Sequence, residues 1–340
     1  LEMLEEHIRS CASMLADIEN KENVTFVFKF STQEYLERID WEYFNTKFPK
    51  GTGISHNVQS IRHLFFETVF GRTDIFPAKI VVSYAGNDKP FHNIAAFRRD
   101  FTWEYSDKAD IVLWGETDSL WPSQTLKILD MLHEQVKDTT PKYIFNFSDR
   151  KLWDNSFAPL HPMYEGIQFV DDDKWQFEHP ASGKSYMSYE TMESINAQVP
   201  EDRIEIVVFD TPRFDGSCVA FSSDLLCSGV TLPKSLILHS EDVSIGTIAK
   251  KLMGDQFVQY NARNILHVHN RRHPKKRTGI LGENNPNGKC TVQDKGEWWG
   301  TLEQYSKFNH ESLFVQLPVI SMEDAIAEIT NKNDTDYEKK

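Results

Sequence analysis

Short apolar runs alternate with amphipathic helical patterns over the first 150 residues. This alternation narrows the fold more than any other feature of the chain. "NVTFVFKF" (23–30) interleaves aromatic and β-branched residues, and "AKIVVSYAG" (78–86) is a buried-looking apolar run closed by glycine; both read as strands. "ADIVLWGETD" (109–118) is a strand running into acids, and "KYIFNFS" (142–148) is a fourth strand. Between them lie helical patterns. Residues 3–19 place Leu4, Ile8, Met14, Leu15 and Ile18 on one face, and 58–70 repeat Val58, Ile61, Phe65 and Val69. Residues 91–106 and 125–136 complete the set. The pattern predicts an α/β fold with a mostly parallel central sheet flanked by helices, in which ligands gather at the carboxyl ends of strands.

The second half is less regular. Residues 150–200 are rich in aromatics, Pro, Gly and His without long periodicity, and read as an irregular insertion. "RIEIVVFD" (203–210) returns to a buried strand. Ser240 to Gly254 reads as a helix with Ile245, Ile248, Ala249 and Leu252 inward, and "QFVQYNARNILHVHN" (256–270) as one or two strands. Beyond 278 the expectation is a loop-rich extension with a short helix near 321–329, then a polar, disordered tail over 331–340. The expected division is an N-terminal helix (1–22), a main α/β domain (23–277) and that C-terminal extension (278–330) packed on it.

Charge excludes some functions. The formal net charge is −14, which argues against a general nucleic-acid binder. Yet Arg263, Arg271, Arg272, Lys275, Lys276 and Arg277 follow one another with no acid among them, a local basic cluster suited to a small anionic target. The four cysteines are scattered, without the spacing of a zinc site or a disulfide framework. The first residues are acidic and amphipathic, unlike a signal peptide, and no run reaches the roughly 18 apolar residues of a membrane span. The expected setting is cytoplasmic, although a catalytic fragment of a larger chain would read the same way.

Several stretches could carry chemistry. In "IVLWGETDSLWP" (111–122) an apolar strand ends and two carboxylates, Glu116 and Asp118, follow two residues apart, so in extended geometry they face one way. Such a pair can hold Mg²⁺ or Mn²⁺, while Thr117-Asp118-Ser119 also has ordinary turn chemistry. The rival cluster "VDDDK" (170–174) sits in the insertion and reads as a solvated turn. In "SEDVS" (240–244), Ser240 suits a helix N-cap, and Glu241 and Asp242 suit the helix dipole; alternatively one of the acids is a general base aimed into a cleft. In "NILHVHNRRHPKKR" (264–277), strand alternation puts Leu266 and Val268 on one face and His267 and His269 on the other, with Arg271 and Arg272 close behind.

The order of these parts resembles a glycosyltransferase of the GT-A fold, nearest to the family 2-like enzymes. The resemblance rests on "NIAAFRRDFTWEYSDKADIVLWGETD", "FDGSCVAFSSDLLCSGV", "HSEDVSIGTIAKKLMGD" and "QFVQYNARNILHVHN", and spans residues 23–277. In that family a helix leads into a strand ending in D-x-D, a glycine-containing segment follows, an E-D pair opens a helix, and a strand ends in His. This chain departs from the pattern with Glu116 in place of the first Asp, and its insertion at 150–200 has no counterpart.

The resemblance implies a Rossmann-like nucleotide-sugar fold and transfer of a sugar from a UDP- or GDP-sugar to a hydroxyl acceptor of carbohydrate type, with inversion. It implies Mn²⁺ or Mg²⁺ on Glu116 and Asp118, with His269, or else His267, as nitrogen ligand. It implies Asp242, or else Glu241, as catalytic base. Donor contacts would come from Asn87 or Asp88, from Arg98 and Arg99 on the preceding helix, and from Arg271 and Arg272. Acceptor or sugar contacts would come from Asp215 and Gly216; apart from the resemblance, Trp153, Trp175 and Tyr186 in the insertion could stack on an acceptor sugar or serve simply as surface or core aromatics. Two other classes fit the same residues: a metal-dependent phosphoester hydrolase and a non-catalytic glycan- or anion-binding module.

Overall fold

The computed structural model describes residues 4–31, 79–85, 94–151, 187–209, 214–237, 240–270, 296–314 and 320–328. Its longest strand, β8 (Val258–His269), organises the rest. Along one edge β8 runs parallel to β5 (Tyr143–Lys151), from Tyr143 opposite Val258 to Lys151 opposite His269. Along the other edge it takes two short antiparallel partners, β6 (Ile206–Val208) near its start and β4 (Ser119–Leu120) at its end. Beyond β5 lie β7 (Cys218–Ser222) and then β3 (Ile111–Gly115), each antiparallel to its neighbour. The central sheet is therefore mixed and mostly antiparallel, with β5–β8 its one parallel pair, which corrects the mostly parallel expectation. An apolar run covered on both faces looks alike in either direction, so strand composition does not encode polarity. A separate two-stranded sheet pairs β1 (Thr25–Ser31) with β2 (Lys79–Ala85) in parallel.

Helices cover both faces. One face packs on α1 (Leu4–Ser13) and α3 (Thr125–Val136) through Ile8, Cys11, Ile128, Leu132, Phe145 and Phe147. The other packs on α2 (Ile94–Tyr105), α5 (Ser223–Cys227) and α6 (Glu241–Met253) through Ala95, Leu225, Ile245, Ile248, Ile144 and Phe221. Neighbours on β5 alternate between the two clusters, Tyr143 and Phe145 to one and Ile144 to the other, as the two-residue period of a strand demands. Burial of such side chains stabilises the fold by about 1.5–3 kcal/mol each.

A shift in the β5–β8 register matters for function. Phe147 pairs with Ala262, but the next residue, Ser148, pairs with Leu266. Arg263, Asn264 and Ile265 are thus looped out of the ladder, which brings His267 opposite Asp149 and carries His269 up to β4.

Other expectations change in detail. Leu252, expected inward, is 50% exposed, and Val208 on the strand expected to be buried is 68% exposed, because β6 is an edge strand. The irregular insertion contains α4 (Tyr189–Asn196), capped by Ser188, whose side chain accepts from the Thr191 N–H. The loop-rich extension contains α7 (Gly296–Glu311), followed by a helical stretch over 322–328 near the short helix expected there. The helix expected over 58–70, the basic residues 271–277 and the tail from 331 lie outside the described residues.

Candidate active site

At the end of β3 the chain turns sharply. The Ser119 amide donates to the Glu116 carbonyl at 3.1 Å, closing a β-turn that holds Thr117 and Asp118 at its corners. Gly115 is required there: a Cβ would lie 1.8 Å from the Trp121 ring. Trp121 Nε1 donates to the Ser217 carbonyl at 3.1 Å, tying the turn to the segment before β7. From below, His7 Nδ1 donates to the Ser119 carbonyl at 2.8 Å. The turn chemistry is therefore realised, and it places the Glu116 and Asp118 carboxylates side by side at the end of β3.

Pairing of β4 with β8 sets Ser119 opposite His269. His269 Nε2 then lies 3.2 Å from Asp118 Oδ1 and 3.3 Å from Glu116 Oε2. One ligand atom from each of Glu116, Asp118 and His269 falls within 4.8 Å of the others. On its far side, His269 Nδ1 lies 3.0 Å from Asp215 Oδ2. A carboxylate there fixes the ring and directs Nε2 to the two acids, the arrangement that commonly supports a metal-bound histidine. Two carboxylate oxygens and one imidazole nitrogen, with both acids about a quarter exposed, form a group that could hold a metal ion. Burial alone would lower the His269 pKa, but Asp215 and Asp118 raise it well above its ordinary value. Burial would raise Glu116, yet Arg98 and His269 hold it down at about 2.

His267 takes another place. Fully buried, its Nδ1 lies 3.0 Å from Asp149 Oδ1 and its Nε2 3.4 Å from Ser217 Oγ. It stands outside the group of three and props up Asp215 instead, since Asp149 Oδ2 also accepts the Asp215 amide at 3.2 Å. Asp149 went unread in the sequence because the strand was ended at Ser148; its signal is the same as that of Glu116, an acid after an apolar run.

The E-D pair divides its work. Glu241 is buried and accepts from Arg98 Nη1, while Arg98 Nη2 donates to Glu116 Oε1. Burial pushes the Glu241 carboxyl up to about 8, against the pull of Arg98. Asp242 is only half-buried; its Oδ2 accepts the Gly216 amide at 3.3 Å and its Oδ1 the Val243 amide at 2.7 Å. Ser240 does occupy the N-cap position, but at φ 69° and without a side-chain cap bond. Left-handed backbone at a non-glycine residue costs about 1–2 kcal/mol, and the Ser240 side chain does not act as the expected cap, while Glu241 and Asp242 do lie in the first turn, where acids favour the helix dipole.

Arg98 was expected at the donor. It is 6% exposed, lies between Glu116 and Glu241 and stacks 5.1 Å over Trp114, so its guanidinium is committed within the protein. Arg99 turns away, its Nη1 3.5 Å from the Pro233 carbonyl and its Nε 3.4 Å from Asp100. A feature missed in the sequence is α7, whose His310 Nδ1 lies 2.7 Å from Ser244 Oγ on the first turns of α6. Asn87, Asp88, Trp153, Trp175, Tyr186, Arg271, Arg272 and the 170–174 acids lie outside the described residues.

Among the described residues, no helix is long and apolar enough to cross a membrane. No family model matches the chain, and no curated protein matches it. Among solved structures, S. aureus TarS (residues 1–349) is similar over 86% of this chain and 76% of that one, at 11% identity and a TM-score of 0.35. A likeness that distant carries no argument about activity, and the residues themselves have to carry it.

Proposed function

We propose that the chain is a metal-dependent glycosyltransferase of GT-A-like fold. It would move a sugar from a nucleoside-diphosphate sugar, a UDP- or GDP-sugar, to a hydroxyl on a carbohydrate acceptor, with inversion. The observation that carries this reading is the convergence of Glu116, Asp118 and His269 within 4.8 Å, joined to the E-D corner by Arg98 and by the Gly216–Asp242 hydrogen bond.

In this reading Glu116, Asp118 and His269 hold Mn²⁺ or Mg²⁺. When bound, the ion supplies Lewis-acid neutralisation of the charge that grows on the departing diphosphate. Asp215 keeps His269 turned so that Nε2 faces the acids. Asp242, half-buried and reachable, accepts the proton of the acceptor hydroxyl as its oxygen bonds to the anomeric carbon and the bond from that carbon to the diphosphate breaks. A single displacement of this kind inverts the anomeric centre. Glu241 is the weaker choice of base, because it is 4% exposed and faces Arg98.

A panel of nucleotide sugars incubated with carbohydrate acceptors, with and without Mn²⁺, tests the reading. The expected result is free nucleoside diphosphate and glycosylated acceptor, both dependent on metal. Acceptor-independent release of phosphate or nucleoside monophosphate would identify a hydrolase instead, and ligand binding without turnover a binding module.

A further inference from the structure

Arg98 bridges the two acid motifs. It lies on α2, away from both acid motifs in sequence, yet its two terminal nitrogens contact one acid from each: Nη2 meets Glu116 of the turn, and Nη1 meets Glu241 of α6. The space it fills is shaped for it. A Cβ at Gly216 would lie 2.1 Å from Arg98 Nη1, and the indole of Trp114 lies beneath the guanidinium, itself pinned by Nε1 donating to Thr102 at 2.9 Å. Glu116 uses one oxygen for Arg98 and turns the other to His269 at 3.3 Å. An aspartate is one methylene shorter and has less reach to span the two. This gives a physical reason for a glutamate where the resembled pattern has an aspartate.

Such a bridge has an electrostatic consequence. A guanidinium this close to a cation site opposes the cation unless its own charge is offset; Glu241 is the buried acid in direct contact with it on the side away from the turn, with Asp242 and Asp215 contributing at longer range. We propose that Arg98 is a positioning residue that couples the two acid motifs, holding Glu116 through one oxygen while the ionised form of Glu241 offsets its charge, so that a change at Glu241 is felt in cation affinity at Glu116, Asp118 and His269. The proposal rests on the cation site proposed above. It gives Glu241 a function other than proton transfer, and it makes the start of α6 and the cation turn one electrostatic unit.

The test uses the full chain and Mn²⁺ alone, titrated by calorimetry under argon at pH 8.5, above the value of about 8 to which burial raises Glu241. Wild type is compared with Asp118→Asn, Glu241→Gln, and Glu241→Gln combined with Arg98→Met. Glu241→Gln removes the directly bonded acid on the far side of the guanidinium, leaving its charge less compensated beside the site, and is expected to weaken Mn²⁺ binding by roughly 10-fold, the scale of a changed outer contact. Adding Arg98→Met removes that charge and is expected to restore affinity to within about 2-fold. Arg98→Lys in the same background keeps the charge and should not restore it. Arg98→Gln serves as the neutral replacement should the methionine variant not fold. A merely structural arginine would show no such rescue, because a second buried substitution would only add damage. Wild-type affinity in Glu241→Gln, or no recovery with either neutral replacement, overturns the coupling while leaving the cation site standing. Absence of Mn²⁺ binding by wild type overturns both.

Discussion

Asp215 lies 3.0 Å from His269 Nδ1, on the side of the ring opposite the nitrogen that faces Asp118 and Glu116. Asp215 is itself buried and fixed, since its Oδ1 accepts the Ser217 amide at 2.9 Å and its own amide donates to Asp149. The ring therefore has one orientation available. Asp215→Asn keeps a hydrogen-bonding side chain but loses the charge that steadies the imidazole. Mn²⁺ affinity should fall by about 10–100-fold, with a circular dichroism spectrum like that of wild type. Unchanged affinity would mean that Asp215 serves the fold alone.

Gly216 stands between Arg98 and Asp242, and Gly216→Ala should disturb both. A methyl group 2.1 Å from a guanidinium held by two acids has no easy way out. The variant should lose about 1–3 kcal/mol of stability, as overpacked sites do, and should lose transfer activity out of proportion to its melting temperature. A variant with native activity would show that Arg98 moves aside freely.

The two acids of the E-D corner should separate cleanly when Mn²⁺ is saturating. Asp242→Asn should still bind nucleotide sugar while kcat falls by roughly 10² or more. Glu241→Gln should retain most of its kcat under the same conditions, since it alters the cation site and not the proton acceptor. The reverse ranking would move the base to Glu241.

Glu241 also sets a pH dependence that can be read without substrate. Its carboxyl is raised from 4.5 to about 8 by burial. Between those values the folded protein holds a proton there that the unfolded chain has lost. Stability contributed by this group is therefore present below pH 4.5 and declines as pH rises towards about 8. In EDTA, the melting temperature of wild type minus that of Glu241→Gln should fall across this window. A flat difference would mean that Arg98 holds Glu241 ionised throughout.

How far the sequence revealed this can be judged residue by residue. Residues 125–136 form a helix over the range expected, because Thr125, Ile128, Leu129, Leu132 and Val136 make one buried stripe. The acids after β3, the E-D pair and the His-ended strand were all legible as local patterns, and the structure brings them together. Strand direction was not legible, because Ile144, Val219 and Phe221 are buried whichever way their strands run. The helix α7 was obscured by Gly296, Gly300 and paired tryptophans, all weak helix signals, although its Asn309 and Ser306 bond to the carbonyls of Ser235 and Ile237. Arg98 was expected, with Arg99, to contact the donor, and instead it bridges two acids within the protein. Its partner Glu241 lies 143 residues away, and no local pattern encodes a contact at that separation. Asp149 carries the same local signal as Glu116, but its pairing with His267 depends on the register shift after Phe147, which no local pattern encodes.

The central claim is a cation held by Glu116, Asp118 and His269 that a nucleoside diphosphate shares. Calorimetric titration of UDP and GDP into wild type and Asp118→Asn, each in Mn²⁺ and in EDTA, tests it most directly. The account predicts that wild-type affinity for one of the two falls by at least about 10-fold in EDTA, a loss of about 1.4 kcal/mol, and that Asp118→Asn loses most of this metal-dependent part. Equal wild-type affinity with and without the cation would contradict it.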